Sequence, residues 1–291
     1  MPAVKSAAAS LMEAFKPSPA LAPYVTDIWA WELPHEVQQG AAATLTLLPD
    51  GHPTMCFVYG SPLTAADGER SFTTRSAVCG FHARPMQVSC DGPARGLTVR
   101  FTPWGLAAFM PGSLAETAHR RIECRDVYGP AAVEELESQL SELPTSLARV
   151  RRVEAFLLGR LQADPADRLV QEVVATLAGR RGTTSISDMA RDFGASDRTL
   201  ERRFQRTVGV APKLFSRVLR LQDAFRQREQ QLSWSDLAVD AGYFDQAHLI
   251  RDAKQLFGAS PRALVEQPGS EIAQGFRALG QANALAATIF R

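Results

Sequence analysis

An internal repeat near the C-terminus constrains this chain more than any other feature of its sequence. The segment 185–194, SISDMARDFG, aligns with 233–242, SWSDLAVDAG, at an offset of 48 residues. After a one-residue insertion in the second copy, 196–212 aligns with 245–261, and the two copies share ten identities over 27 aligned positions. A repeat of this kind predicts one supersecondary structure that occurs twice in the fold.

Each copy has the pattern of two short helices joined by a tight turn. Ser185 and Ser233 are suited to cap a first helix, because a serine side chain accepts a hydrogen bond from an unpaired backbone N–H group. Gly194 and Gly242 follow, and glycine adopts the positive φ that ends a helix in such a turn. The residues that cap the second helix are Ser196 and Asp245. The pattern predicts two helix-turn-helix units.

The whole region from Leu169 onward is predicted to be helical. The predicted helices are 168–178, 186–193, 197–207, 212–230, 234–241 and 246–257, and apolar residues recur in a tail at 271–290. Pro212 suits the first turn of the helix that connects the two copies. The apolar stripe of this connector consists of Leu214, Val218, Leu221 and Phe225. A rigid connector could hold two recognition helices about 34 Å apart, which is one turn of B-DNA.

The second helix of each copy has an apolar face and a polar face. Leu200 and Phe204 point inward in the first copy, and Leu249 and Ala253 occupy the same positions in the second. The outward residues are Arg198, Glu201, Arg202 and Gln205 in the first copy and Gln246, Ala247, Ile250, Arg251 and Lys254 in the second. Arginine and glutamine side chains match guanine and adenine edges in the major groove. Both helices are therefore predicted to be recognition helices.

Ala253 departs from this pattern, because the helical period calls for a large apolar residue there. Its counterpart is Phe204, and an unfilled space of that size costs about 3–5 kcal/mol. We expect either that Leu256, Phe257 and Phe244 fill the space or that the second unit is the less stable one. On this basis the first unit is expected to dominate DNA affinity.

The distribution of charge agrees with contact to nucleic acid. The net charge of the chain is only +1, but between Arg180 and Arg220 ten basic residues face four acidic ones, a local balance of +6. A folded basic stretch is an electrostatic footprint for a polyanion. A solvated surface with no ligand is the alternative interpretation of the same charges.

The C-terminal hundred residues resemble the AraC/XylS family of transcriptional regulators. The residues that carry the resemblance are Asp236-Leu237-Ala238, Gly242-Tyr243, Asp245-Gln246, His248-Leu249-Ile250-Arg251, Lys254, Gly258 and Ser260-Pro261. The resemblance implies that Arg198, Glu201 and Arg202 approach bases, as do Gln246, Ala247, Ile250 and Arg251 in the second unit. The full predicted set of DNA contacts adds Ser196, Asp197, Thr199, Gln205 and Lys254. Ala253 is the departure, because the family has phenylalanine there.

The N-terminal part is predicted to be rich in β-strands. Short alternating runs at 44–51, 54–60, 76–81, 86–92 and 96–101 end at Gly, Pro or Asp, a pattern typical of a sandwich or barrel. Helical spacing returns at 131–140 and 147–161. The apolar stripe of 147–161 favours domain core, with a dimer face as the alternative.

The predicted fold class is α+β, with a β-rich, cupin-like N-terminal domain and an all-α C-terminal domain. The predicted divisions are a flexible segment at 1–20, a sensor or dimerisation domain at 21–145, a linker helix at 146–166, a DNA-binding domain at 167–267 and a helical tail at 268–291.

The segments LLPDGHPTMCFVYG and GLTVRFTPWGLAAFM are similar to the cupin-like sensor domains that precede such DNA-binding units. The resemblance implies that the domain binds a small effector or dimerises. The candidate effector residues are Trp29, Trp31, Phe57, His82 and Arg100. Ordinary core packing is the competing interpretation of each of these residues.

The competing function is an enzyme fused to a DNA-binding unit, either a cupin-type metal enzyme or a cysteine alkyl-transfer protein. His35, His52 and His82 lack the H-x-H spacing of a metal site, and the four cysteines lack zinc-ligand spacing. We therefore expect no metal, no cofactor and no catalysis.

The remaining features predict a cytoplasmic protein. No run of 18 apolar residues predicts a membrane span, and the N-terminus lacks the apolar centre of a signal peptide. The four cysteines are expected to be buried free thiols. The expected partners are double-stranded DNA, a small-molecule effector, a second copy of the chain and, for an activator, RNA polymerase.

Overall fold

Within the described residues of the first half of the chain, ten strands form two antiparallel sheets. The computed structural model describes residues 12–32, 43–66, 71–162, 167–228 and 233–266. The strands are β1 (Met12–Phe15), β2 (Val25–Glu32), β3 (Ala43–Leu47), β4 (Thr54–Val58), β5 (Leu63–Ala66), β6 (Ser71–Thr74), β7 (Ser76–Cys79), β8 (Met86–Cys90), β9 (Arg95–Phe101) and β10 (Arg121–Glu123). One sheet has the order β1-β2-β9-β4-β7-β10, and the other has the order β3-β8-β5-β6.

Successive side chains along a strand point to opposite faces of the sheet, so one strand can contribute to two apolar layers. In β4, Met55 and Phe57 lie on one face of the six-stranded sheet, and Cys56 and Val58 lie on the other. The second face packs against Val88 and other residues of the four-stranded sheet, so the domain is a sandwich. The prediction of a β-rich N-terminal domain is confirmed.

Three helices cover the outer face of the six-stranded sheet. They are α1 (Cys124–Tyr128), α2 (Pro130–Glu142) and α3 (Ser146–Leu158). The stripe of α3 includes the fully buried Val153 and Leu157, and Phe156 meets Phe57 edge-on with ring centroids 6.1 Å apart. The described part of the segment predicted as a linker therefore packs, in α3, into the core of the β-rich domain.

The C-terminal region consists of seven helices within the described residues. They are α4 (Arg168–Gly179), α5 (Ile186–Asp192), α6 (Asp197–Val208), α7 (Pro212–Arg228), α8 (Trp234–Asp240), α9 (Gln246–Phe257) and α10 (Pro261–Glu266). The six predicted helices agree with α4–α9 to within one residue at each end, except that the predicted end of the α7 helix at 230 lies outside the described residues. The predicted α+β fold class is confirmed.

The predicted caps and turns are all present. Ser185 accepts a hydrogen bond from the Asp188 N–H group, and Ser233 accepts one from the Asp236 N–H group. Ser196 and Asp245 cap α6 and α9 in the same way. The turn glycines, Gly194 and Gly242, have φ values of +68° and +73°.

Two parts of the N-terminal prediction need correction. Met12–Phe15, inside the segment predicted to be flexible, pairs with β2 as an edge strand. The strands β2, β5, β6 and β10 are also absent from the predicted set, and three of them, β5, β6 and β10, have only three or four residues. The predicted tail at 268–291 lies outside the described residues.

One buried apolar cluster contains residues of both domains. Phe215 of α7 contacts Phe81 of the β-rich domain, with ring centroids 5.9 Å apart, and Phe204 of α6, at 5.6 Å. Leu48 and Ala83 of the β-rich domain belong to the same buried cluster. The first recognition helix is thus packed directly against the N-terminal domain.

Ala253 is fully buried, with 0% of its surface exposed. Leu256 and Phe257 are buried beside it in the same cluster, and the Phe257 ring lies 5.5 Å from the Phe225 ring. Phe244 is 91% exposed, so the expectation that it helps to fill the space is wrong. The described core of the second unit closes around alanine without Phe244.

We predict that Ala253→Phe lowers the free energy of unfolding by about 1–3 kcal/mol, because a closely packed site has no room for a phenyl ring. Urea denaturation of the full chain measures this value. The matched control is Ala247→Phe, at an exposed alanine of the same helix, for which we expect a change within about 0.5 kcal/mol. A gain of stability in Ala253→Phe would show that the second unit contains a hole.

Candidate nucleic-acid interface

The first recognition helix, α6, separates a buried back from an exposed front. Leu200 and Phe204 are fully buried, while Arg198, Glu201 and Arg202 are exposed. Of the other predicted contacts, Ser196 and Asp197 are exposed, and Thr199 and Gln205 are half-buried. The helix therefore presents its predicted base-contacting residues to solvent on one side.

The second recognition helix, α9, has the same arrangement. Leu249 and Ala253 form its buried back. The predicted contacts on its front are the exposed Gln246, Ala247, Arg251 and Lys254 and the half-buried Ile250. The structure brings the predicted residues of each helix together on one face, and their contact with DNA stays a prediction.

A matching hydrogen bond links the two helices of each unit. Ser187 of α5 donates to the Asp197 carboxylate at 2.6 Å, and Ser235 of α8 pairs with the Gln246 side-chain oxygen at 3.0 Å. These contacts hold the first residue of each recognition helix against the preceding helix. Asp197 and Gln246 consequently have less freedom to turn toward a base than the other predicted contacts.

Two ion pairs fix the recognition helices from behind. Arg203 of α6 donates to both oxygens of Asp167, which caps α4, at 2.8 and 2.6 Å. Arg217 of α7 donates to Asp252 of α9 at 2.8 Å. Asp167 raises the pKa of Arg203 through this hydrogen-bonded pair. Arg203 and Arg217 are therefore structural members of the basic cluster, a distinction that the charge count did not show.

A loop of the β-rich domain lies on the connector helix α7. The Gln222 side chain donates to the Pro49 carbonyl at 3.1 Å, and Gly51 lies against the Phe215 ring. Beneath this loop, the buried Arg100 donates to Asp50 at 3.0 Å and lies 3.6 Å from Asp27. The buried ion pairs of Arg100 therefore involve Asp50, which belongs to the loop that contacts α7.

Burial and charge shift the pKa values of this cluster. Burial lowers the pKa of His52 to about 4, with the Arg100 charge acting in the same direction. Burial raises the pKa of Asp27. Burial also acts to raise the pKa of Asp50, but Arg100 and the neighbouring histidines outweigh it, so that this pKa is lowered.

The predicted effector residues do not form one group. Trp29, Trp31 and Arg100 alternate onto the face of the six-stranded sheet that meets the other sheet, and His82 lies near Asp50. Phe57 lies on the opposite face, against the helices, because its position in β4 has the other parity. Phe57 is fully buried in the core between the sheet and the helices, apart from the other four candidates, and an effector role for these residues stays a prediction.

Trp31 lines an open cleft of about 260 Å³ at the end of the sandwich. The other lining residues are Met12, Glu13, Ala30, Glu32, Tyr59, Arg95, Ser146 and Arg149. The Arg149 guanidinium lies 4.3 Å from the Tyr59 ring centroid and donates to the Leu140 carbonyl at 2.8 Å, which holds it in place. The sequence pattern did not single out these residues, because they come from separate elements.

Within the described ranges, no cluster of three or more His, Cys, Asp or Glu residues is arranged to hold a metal ion. All four cysteines are buried free thiols. No described helix is long and apolar enough to cross a membrane.

Two family models match separate parts of the chain. Residues 189–267 match the family described as "Helix-turn-helix domain", and residues 13–123 match "Domain of unknown function (DUF6597)". No curated protein sequence matches the chain.

Several solved structures are similar to the chain at low sequence identity. A structure of ToxT from Vibrio cholerae has a TM-score of 0.46 and 8% identity, covering 87% of this chain and 97% of that chain. A fatty-acid-bound ToxT from strain SCE256 has a TM-score of 0.43 and 10% identity, covering 80% and 92%. The AraC-like activator CuxR has a TM-score of 0.24 and 14% identity, covering 77% and 87%. Because these scores are below 0.5, the assignment rests on the family match and the geometry of the two units.

The matched domain and the two units with exposed polar fronts define a DNA-binding protein of the helix-turn-helix class. Its C-terminal domain is of the AraC type, and the chain is a transcriptional regulator.

We predict that the stability of the protein depends on pH through His52. Its pKa is about 4 in the folded chain and 6.5 ordinarily, so unfolding takes up a proton between these values. The stability that depends on neutral His52 is fully present above pH 6.5. As the pH falls toward 4, the free energy of unfolding decreases by up to about 1.4 kcal/mol per pH unit. Urea denaturation at pH 5 and pH 7 should show a smaller difference for His52→Asn than for the original chain. Equal differences would contradict this assignment.

Proposed function

We propose that the two units bind successive major-groove segments of one DNA site. The exposed fronts of α6 and α9 supply the contacts, with Arg202 and Arg251 at equivalent positions of the two helices. Arginine at such a position donates two hydrogen bonds to guanine. The roles of Arg198 and Glu201 in the first unit, and of Gln246, Ala247 and Ile250 in the second, follow from their places on the same faces.

The observation that carries this proposal is the repeated division of each recognition helix into a closed back and an open front. The backs are occupied by the shared core and by the Arg203–Asp167 and Arg217–Asp252 pairs. Arg198, Arg202 and Arg251 are exposed on the fronts, so no described part of the β-rich domain covers these side chains. DNA can therefore approach the described fronts without removal of the N-terminal domain.

We also propose that a small molecule regulates the protein from the cleft beside Trp31. The volume of about 260 Å³ is just below the range of about 300–1,000 Å³ of pockets for drug-sized molecules, so the proposed ligand is a small one. Arg95 and Arg149 supply donors, and Trp31 and Tyr59 supply aromatic surface. Screening of small acids, amines and neutral compounds by tryptophan fluorescence tests this proposal. A response that persists unchanged in Trp31→Phe would place the ligand elsewhere.

The proposed setting is the cytoplasm, with a homodimer as the assembly and RNA polymerase as a further partner if the protein activates transcription. The proposal assigns no catalytic step, no metal and no cofactor. Genome-wide mapping of occupied sites tests the function as a whole, because a regulator occupies defined sequences next to the genes that it controls.

We predict that Arg202→Ala and Arg251→Ala each weaken binding to the preferred site by about 1–3 kcal/mol and relax the preference at one base pair. Titration of a set of DNA duplexes with the full-length chain measures both effects. Arg125→Ala is the matched control, because it also removes one exposed arginine charge, but from the β-rich domain and not from a recognition helix.

Two results would contradict parts of this prediction. An equal loss on every sequence would assign the arginine to a phosphate contact. An affinity that does not fall with salt would contradict DNA binding itself, because neutralised phosphates release counterions.

A further inference from the structure

Phe244 is the single residue that is inserted in the second unit relative to the first. The Ala195 N–H group donates to the Ala190 carbonyl at 2.8 Å, and the Tyr243 N–H group donates to the Ala238 carbonyl at 2.8 Å. Ala195 and Tyr243 are therefore equivalent in the two turns. Ala195 is followed at once by the cap of α6, whereas in the second unit Phe244 stands between Tyr243 and the cap of α9.

The inserted side chain points into solvent. Phe244 is 91% exposed, while the neighbouring Tyr243 is only 4% exposed and belongs to the shared core. A phenylalanine in water forgoes about 1.5–3 kcal/mol of burial free energy. The described fold of the unit therefore gains little from the Phe244 ring.

The position of Phe244 gives the ring a use. It precedes Asp245, the cap of α9, and thus stands at the N-terminal end of the recognition helix. The N-terminal residues of a recognition helix are the ones that approach base edges when the helix enters the major groove.

Two further replacements make the same end of α9 apolar. Ala247 stands where the first unit has Arg198, and the half-buried Ile250 stands where it has Glu201. Arg251 keeps the cationic character of Arg202. The first unit thus presents charged hydrogen-bonding groups, and the second presents apolar groups beside a single arginine.

The major groove contains one apolar group that such a surface can recognise. All four bases present hydrogen-bonding groups there, but thymine alone adds a methyl group, at C5. We propose that the second unit recognises thymine methyl groups through Phe244, with Ala247 and Ile250 beside it. The two halves of the DNA site then differ in chemistry. The first unit forms hydrogen bonds to base edges with charged groups, and the second contacts thymine methyl groups beside the one guanine assigned to Arg251.

This inference rests on the proposed function and is tested separately from it. In vitro selection with the full-length chain from a random duplex pool identifies the preferred site, and a site with thymines in one half is expected. Replacement of those thymines by deoxyuridine removes only the C5 methyl groups. Each lost contact should raise Kd about fourfold, the value of one buried methyl group, and the same replacement in the other half should change Kd little.

Variants assign the effect to the inserted residue. Phe244→Ala should bind thymine and deoxyuridine sites with nearly equal Kd, and its thermal unfolding should match that of the original chain because the ring is exposed. Val239→Ala is the matched control, since Val239 is an apolar residue of α8 with 68% exposure. It should keep the sensitivity to deoxyuridine.

Failure of the proposed function and failure of this inference give different results. Absence of any enriched sequence would overturn both the proposed function and this inference. A selected site that is insensitive to deoxyuridine, or a Phe244→Ala variant that stays sensitive, would overturn the inference alone. In that case Phe244 would be free to serve a protein partner.

Discussion

The packing of Phe215 is the interaction on which the arrangement of the molecule depends. This one ring on the connector helix α7 contacts Phe81 of the β-rich domain and Phe204 of the first recognition helix. Because a packed core transmits displacement rather than absorbing it, the sandwich, the connector and the first unit are held in one relation. The Pro49–Gln222 hydrogen bond and the buried Arg100–Asp50 pair lie at the edge of the same contact.

The two units show how a repeat keeps a scaffold while its surfaces diverge. Caps, turn glycines and the serine bond to the first recognition-helix residue occur in both copies. The backs differ in size, with Phe204 in one copy and Ala253 in the other, and different neighbours complete each core. The fronts differ in chemistry, and that is where a half-site preference can arise without a change of fold.

Much of the C-terminal domain could be predicted because its signals are local. A capping serine or aspartate and a glycine at positive φ act over three or four residues, so most helix ends were predicted to within one residue. The fronts of α6 and α9 followed from the helical period alone. The short strands β5, β6 and β10 could not be predicted, since three or four residues carry too little alternation and cross-strand pairing stabilises them.

The sequence by itself determined the two helix-turn-helix units, their capped ends and the polar residues that each recognition helix presents. Only the tertiary structure decided which basic and aromatic residues elsewhere in the chain are buried or paired and which are available. It placed Arg203 and Arg217 in ion pairs behind the helices, and it assigned Phe57 to the core by strand parity. It also left Phe244 in solvent, where the sequence had suggested a core position. The physical reason is that burial depends on the partners that the fold brings together, and those partners are far apart along the chain.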